Sequence, residues 1–323
     1  MRTVLLIAAI ATALGTVACD RLQPSTSAKT AIAAPSRDEE MPQIQKWRSE
    51  RIERLKKPDG WLTLVGLHWI EPGEHKVGSG KDNDIELATG PVHVGTLTLK
   101  DGKATLLLDP SSEALIDGKP ATATVELKPD SSDAPTAVSF NHGEAGFQLI
   151  ERSGRYALRV KDAQAKTRSG FLGIDYFDID PAWRFNARFE AHPKGKTIDI
   201  ATVINTIEPM QNPGAVVFEK AGKSYRLEAV DEGDGQLFLI FADHTNGKST
   251  YGAGRFLYAD PPKNGLTVVD FNKSYNPPCV FTHYATCPLP PPENRLDLTI
   301  TAGEKKYAGA VEHEAPPPPT AAR

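Results

Sequence analysis

The chain has little of what usually announces a function. Among its 323 residues are three cysteines, and aromatic residues make up 7%. It contains no P-loop, no glycine-rich turn between strand and helix, no HExxH helix and no GxSxG elbow, so nucleotide hydrolases, zinc peptidases and α/β-hydrolases lose support. No run of basic residues exceeds two and the formal net charge is -4, which leaves no electrostatic footprint for nucleic acid. The one long apolar run, Val4 to Leu14, is too short to span a bilayer as a stable anchor.

That run has a different use. Arg2 precedes it and Thr16-Val17-Ala18-Cys19 follows, so residues 1–18 read as a lipoprotein signal peptide and Cys19 as the lipid-bearing first residue of the mature protein. The expected location is the cell envelope, with the chain anchored to a membrane through Cys19 and facing the periplasm. Residues 19–43 are rich in Ser, Thr, Ala and Pro without apolar periodicity and read as a flexible tether. Residues 312–323, with four consecutive prolines, read as a disordered tail.

Between tether and tail, 26 Gly and 26 Pro punctuate short apolar runs, which predicts an all-β fold. Only Ile44 to Lys57 carries helical spacing, with Ile44, Trp47, Ile52 and Leu55 on one face and Pro58-Asp59-Gly60 ending it. Trp47 is expected to pack there, and Arg48 and Arg51 to be solvated. Candidate strands then follow from Trp61 to Val160, with Asp101-Gly102, Asp117-Gly118 and Ser153-Gly154 as hairpin turns. A second strand series runs from Trp183 to Phe241 and on through Gly254 to Tyr258, Leu266 to Phe271 and Leu296 to Ile300. The rhythm lapses near residue 163, so the expected division is residues 44–162 and 163–311.

Cys279 and Cys287 have seven residues between them, and in an oxidising compartment such a pair is more often a disulfide than two thiols. Closing that small loop stabilises a fold by about 2.6 kcal/mol in the chain-entropy model. The spacing Cys279-x3-His283-x3-Cys287 also invites a metal, with Asp270 or His244 as a further ligand, or a thiol nucleophile with a histidine base. The disulfide competes for the same sulfurs, and no metal is assigned. Asp175, Asp178 and Asp180 form an acidic cluster of the kind that solvated turns carry. Nothing in the sequence calls for a cofactor.

The segment from Asn272 to Asn294 is long, stiffened by prolines and crowded with polar side chains, as ligand-facing loops are. Arg255 and Arg295 offer forked donors, and Asn272, Tyr275 and Asn276 directional hydrogen bonds, for a small polar or anionic molecule. The alternative role for these groups is internal, with the asparagines satisfying turns and Arg255 pairing Asp243 or Asp270.

Three stretches carry a family resemblance: GWLTLVGLHWIEPGEHKVGS, RVKDAQAKTRSGFLGIDYFDIDPAWR, and the run from Phe241 to Arg295. They resemble DUF1684, a family of uncharacterised bacterial proteins, across residues 47–304. The resemblance implies a site at Asp270 to Asn272, Tyr275 to Cys279, Ala285 to Pro290 and Asn294 to Leu296, and so adds Asp270 and Asn294 to the candidates. It implies no reaction. HKVGSGKDNDIEL with the strands after it resembles the β-sandwich of forkhead-associated domains, although Ser79 stands where that family has arginine. The resulting expectation is recognition of a small ligand by the carboxyl-terminal β domain. An envelope hydrolase using the same loop and a structural adaptor are the alternatives, and whether the protein is an enzyme stays open.

Overall fold

The computed structural model describes residues 37–121 and 123–311, with side chains from residue 41 onward. The signal peptide, Cys19, most of the tether and the proline tail lie outside the described residues. The rest is all-β with one long helix, as the punctuation predicts.

The helix runs Arg37–Lys56, beginning earlier than its apolar spacing. Its inward stripe is i, i+3, i+4, i+7 and i+11: Ile44 and Leu55 are sealed, and Trp47, Arg48 and Arg51 lie between them. Two of the three middle positions are arginines, which no apolar pattern reveals.

Residues 64–162 form two facing sheets. One is antiparallel and six-stranded, in the order Leu64–Ile70, Arg155–Asp162, Ala145–Arg152, Ala137–Phe140, Leu115–Ile116, Lys119–Pro120. The other is five-stranded, in the order Ile85–Glu86, Gly73–Gly78, Gly95–Lys100, Lys103–Leu108, Val125–Leu127. Val77, Leu97 and Leu106 from one sheet meet Phe140, Phe147, Leu158 and Val160 from the other in a single core. The turns do what their residues dictate. At Asp101-Gly102, Asp117-Gly118 and Ser153-Gly154 both residues have φ between 50° and 75°, a pair of left-handed positions that suits the twist of a two-residue hairpin.

Past residue 180, an antiparallel sheet orders Lys223–Ala229, Gly214–Lys220, Arg184–Ala191 and Leu266–Asp270. Beside it lies a strand pair, Leu237–Phe241 with Arg255–Ala259. Every residue of LFLIF in the first of these strands is buried, because period-2 alternation sends side chains to two apolar layers. Leu237, Leu239 and Phe241 join Phe218, Leu257, Val269 and Phe271 against the sheet. Phe238 and Ile240 point the other way, toward Leu55, Leu62, Cys279, Val280, Phe281 and Tyr307. A separate hairpin, Thr197–Ala201 with Ile207–Gln211, joins that second layer through Ile198, Ile200 and Met210.

One expected strand does not form. Leu296 to Ile300 has no ladder partner, yet Leu296 and Ile300 are buried. Its backbone is engaged elsewhere: the Leu296 N–H donates to Ala242 O, and Ile300 O accepts from Arg255.

Candidate functional site

The proline-stiffened loop is mainly internal scaffolding. Arg255 is fully buried. Its Nη2 donates to Asp243 Oδ2 at 2.7 Å and to Ile300 O at 3.0 Å, and its Nη1 donates to Ala302 O at 2.5 Å. Burial alone would push this guanidinium down; Asp243 opposes that. The charge is therefore neutralised on the spot, and the carbonyls that accept from Arg255 belong to the irregular run that replaced the expected strand.

The asparagines are used in the same way. Asn272 has its Nδ2 on Asp180 O at 2.9 Å and on Asp270 Oδ1 at 3.0 Å, and its Oδ1 accepts from the Asp180 N–H at 3.0 Å. Asn276 donates from Nδ2 to Lys305 O at 2.8 Å. Asn294 bridges two strands, accepting from the Glu228 N–H at 2.7 Å and donating to Glu228 O and Ile240 O, each at 2.9 Å. All three are essentially inaccessible. Arg295 is exposed, with its Nη2 3.5 Å from Pro290 O. Asp270 accepts the Asn272 N–H and borders a small hollow of about 170 Å³ with Arg184, Asp260 and Lys273. The acidic cluster does not make a catalytic pair: Asp180 caps the next turn through the Ala182 N–H at 2.9 Å.

Of the loop candidates, Tyr275 reaches the principal cavity. This hollow of about 480 Å³ is walled by the long helix, the hairpin at Thr197–Gln211, the strand pair, the loop and the end of strand Ala145–Arg152. Its apolar surface is largely aromatic, with Trp47, Trp61, Phe238, Phe256, Tyr258 and Tyr275. Phe238 stacks on Tyr258 with ring centroids 4.8 Å apart, Tyr258 is nearly parallel to Tyr275 at 6.2 Å, and Phe256 meets both Phe238 and Tyr275 edge-on. Such offset and edge-to-face contacts fix ring positions beyond what area burial does. The phenols are held neutral. Burial pushes Tyr258 up, and the Tyr275 and Glu232 beside it push the same way. Burial also raises Tyr275, against the pull of Arg51.

Charge enters the cavity as Arg51, Arg54 and Arg152 and as Glu208 and Glu232. Arg51 is buried rather than solvated as expected, because a partner distant in sequence meets it: its Nε donates to Glu304 Oε1 at 3.0 Å and its Nη2 to Asn276 O at 3.0 Å, with the guanidinium 4.7 Å from the Tyr275 ring centre. Glu304 Oε2 accepts the Asn276 N–H at 2.7 Å. Arg152 comes from the sandwich half of the chain. It grips Asp130 with two bonds of 2.9 and 2.7 Å and donates from Nε to Thr286 Oγ1 at 3.1 Å. Arg159, on the neighbouring strand, donates to the same hydroxyl at 3.1 Å and lies 5.6 Å from the centre of the Trp61 ring. Burial, then Arg152, push Arg159 down to about 10, with Asp130 pulling upward, so it stays charged at neutral pH. Arg54 lines the cavity with no side-chain partner among the described residues.

Cys287 also lines the cavity, with Cys279 buried behind it. No disulfide joins them, and the Cys279 N–H points to Cys287 Sγ at 3.1 Å. Burial pushes the Cys287 thiol well up, while a hydrogen bond with Cys287 draws Cys279 down. Cys287 is therefore a poor nucleophile as it stands. His283 is exposed, and His244 bonds Asp297 at 2.8 Å on the surface. Among the described residues, no group of three or more His, Cys, Asp or Glu could hold a metal ion, and no helix is long and apolar enough to cross a membrane.

Reading the sequence for a site found the loop and missed the cavity. Trp47 and Arg51 were visible on the helix stripe, but nothing local distinguishes an arginine that turns inward. Arg152 and Trp61 lie outside the loop altogether, and only the fold brings them to it.

No curated protein matches the chain. Among solved structures, an uncharacterized protein from Haloarcula marismortui, determined by solution NMR, is 30% identical; the match covers 43% of this chain and 78% of that one, with a TM-score of 0.36. The model of a protein family of unknown function matches residues 169–305, a shorter span than the resemblance over residues 47–304. Residues 169–305 are thus similar to that family, DUF1684.

Proposed function

We propose that the protein is a lipid-anchored lipoprotein of the cell envelope, facing the periplasm and recognising a small polar or anionic molecule. The ligand sits in the 480 Å³ cavity rather than on the buried asparagines and Arg255. The observation that carries this reading is the lining itself: six aromatic rings and three arginines around one hollow, where rings supply contact area and a few placed polar groups supply orientation. In this reading a Cys279–Cys287 disulfide forms on export and fixes the loop that holds Tyr275. The facing sheets of residues 64–162 support the forkhead-associated likeness as a matter of architecture. Ser79 is no phosphate reader, since its hydroxyl donates to Gly90 O at 2.8 Å.

Titration with the environment-sensitive neutral dye N-phenyl-1-naphthylamine tests the cavity. Saturable binding is expected, and Met210→Trp, which fills the hollow from the hairpin side, is expected to weaken it at least tenfold. Absence of saturable binding, or binding indifferent to Met210→Trp, contradicts the reading. Intact mass and thiol titration of membrane-purified protein test the anchor and the disulfide. A diacylglyceryl group at Cys19 and no free thiol are expected, and an unmodified chain with two rapidly alkylated thiols would overturn both.

A further inference from the structure

The cavity is not uniformly charged. At one end Tyr258 donates its hydroxyl to Glu232, so phenol and carboxylate already satisfy each other. At the other end Arg152 and Arg159 converge on Thr286. That hydroxyl accepts two guanidinium bonds, which occupy its lone pairs and leave its own hydrogen to donate. Among the described residues no acceptor takes it. Arg159 Nε is buried with no hydrogen-bond partner, although the side chain is only 9% exposed. Arg48 and Arg255 carry a like unpaired Nε, so the observation that points to a ligand is the spare hydrogen of Thr286, which lines the hollow. Trp61 lies under Arg159, the Arg54 backbone passes close to Gly60 just before it, and the unpaired Arg54 lines the same hollow as Trp61. Two carboxylates oppose these cations. Asp130 holds Arg152 bidentately, and Glu208 accepts from the Ser153 hydroxyl at 3.3 Å. Three guanidinium groups against two carboxylates leave this end with one positive charge, a spare hydroxyl donor and a free guanidinium fork.

We infer that this end is an anion subsite, and that the ligand is an organic acid with a flat, ring-bearing body: its carboxylate or similar group lies between Arg54, Arg152 and Thr286, and its body lies against Phe238 and Tyr258. The inference rests on the cavity reading and narrows it to a ligand class. It also makes the site composite. Arg152 and Arg159 belong to the six-stranded sheet, which lies outside the matched residues 169–305, so residues 169–305 alone carry four of the six rings and none of the lining arginines.

Two dyes of nearly the same body separate this inference from the cavity reading: anionic 1-anilinonaphthalene-8-sulfonate and neutral N-phenyl-1-naphthylamine. In the full chain, Arg54→Gln combined with Arg152→Gln is expected to weaken sulfonate binding at least tenfold and to change neutral-dye binding less than twofold. Thr286→Val leaves the Arg152–Asp130 pair intact and is expected to lower the sulfonate preference by about threefold to tenfold. Retained neutral-dye binding certifies the folded cavity in every variant. Arg188→Gln, a surface change beside Glu190, is the control for general charge loss and is expected to leave the preference unchanged. The inference is overturned if the two dyes weaken together, if neither weakens, or if Arg188→Gln has the same effect as the cavity variants. If neither dye binds the unaltered protein, the cavity reading falls first.

Discussion

Arg255 and Arg152 are both arginines held by an aspartate within hydrogen-bond distance, yet they do different work. Arg255 is enclosed on every side, and both of its terminal nitrogens are bonded to Asp243 or to backbone carbonyls that no strand partner satisfies. Arg152 has about a quarter of its side chain open, shares a hydroxyl with a second arginine, and lines a hollow. Pairing with an aspartate is therefore no guide to function. What separates a scaffold arginine from a cavity-lining one is whether its guanidinium faces space a ligand can enter: Arg255 keeps an unpaired Nε but is sealed, whereas Arg152 is bonded through every nitrogen and still lines the hollow. The same test sorts the rest of the loop: Asn272, Asn276 and Asn294 organise backbone, whereas Tyr275 is half-buried and turned to the cavity.

The largest effect that would break this contrast is on stability. Arg255→Met leaves Asp243 buried without its partner and is expected to cost about 3–5 kcal/mol in urea unfolding. Arg54→Gln, on the open side of the comparison, should stay within about 0.5 kcal/mol. If the two costs proved equal, the scaffold reading of Arg255 would be lost. Glu304→Ala comes next. It strips Arg51 and the Asn276 N–H of their acceptor at once, and a loss of about 3 kcal/mol is expected, with weaker dye binding because Arg51 no longer braces Tyr275.

Much of the fold was legible because its signals are local. An Asp-Gly or Ser-Gly pair carries its own left-handed preference, and LFLIF announces a strand with two buried faces wherever it lies. The signals that failed were long-range. Arg51 looks solvated on a helical wheel because its acceptor, Glu304, is 253 residues away. Leu296 to Ile300 alternates like a strand, but the carbonyl of Ile300 is taken by Arg255. The loop was found because proline and asparagine crowd it. Its use was misjudged because composition cannot say whether an amide faces a ligand or the chain's own backbone.

Smaller effects sharpen the comparison further. Asn294→Ala removes three side-chain bonds to the backbone of two strands, and about 2 kcal/mol of destabilisation is expected with little change in dye selectivity. Tyr251, Tyr258 and Tyr275 are all raised above the ordinary value of 10.0, by burial first of all. Each phenol keeps its proton in the folded chain after the unfolded chain has released it, so the folded state binds more protons above pH 10. Their stabilising contribution is then full below pH 10 and is lost as pH climbs beyond it. Denaturant midpoints that are flat from pH 7 to 9 and then decline are the expected result, and a midpoint that rises above pH 10 would contradict the burial of these rings.

The proposal places the ligand in the cavity and not in the buried asparagine and Arg255 framework. The most direct measurement is a crystal structure of the chain soaked with a brominated aromatic carboxylic acid, with the anomalous signal of bromine marking the body of the acid. A peak beside Phe238 and Tyr258 is expected, with the carboxylate density against Arg152 and Thr286. A peak at the Asn272–Arg255 framework, or none inside the cavity at saturating acid, would contradict it.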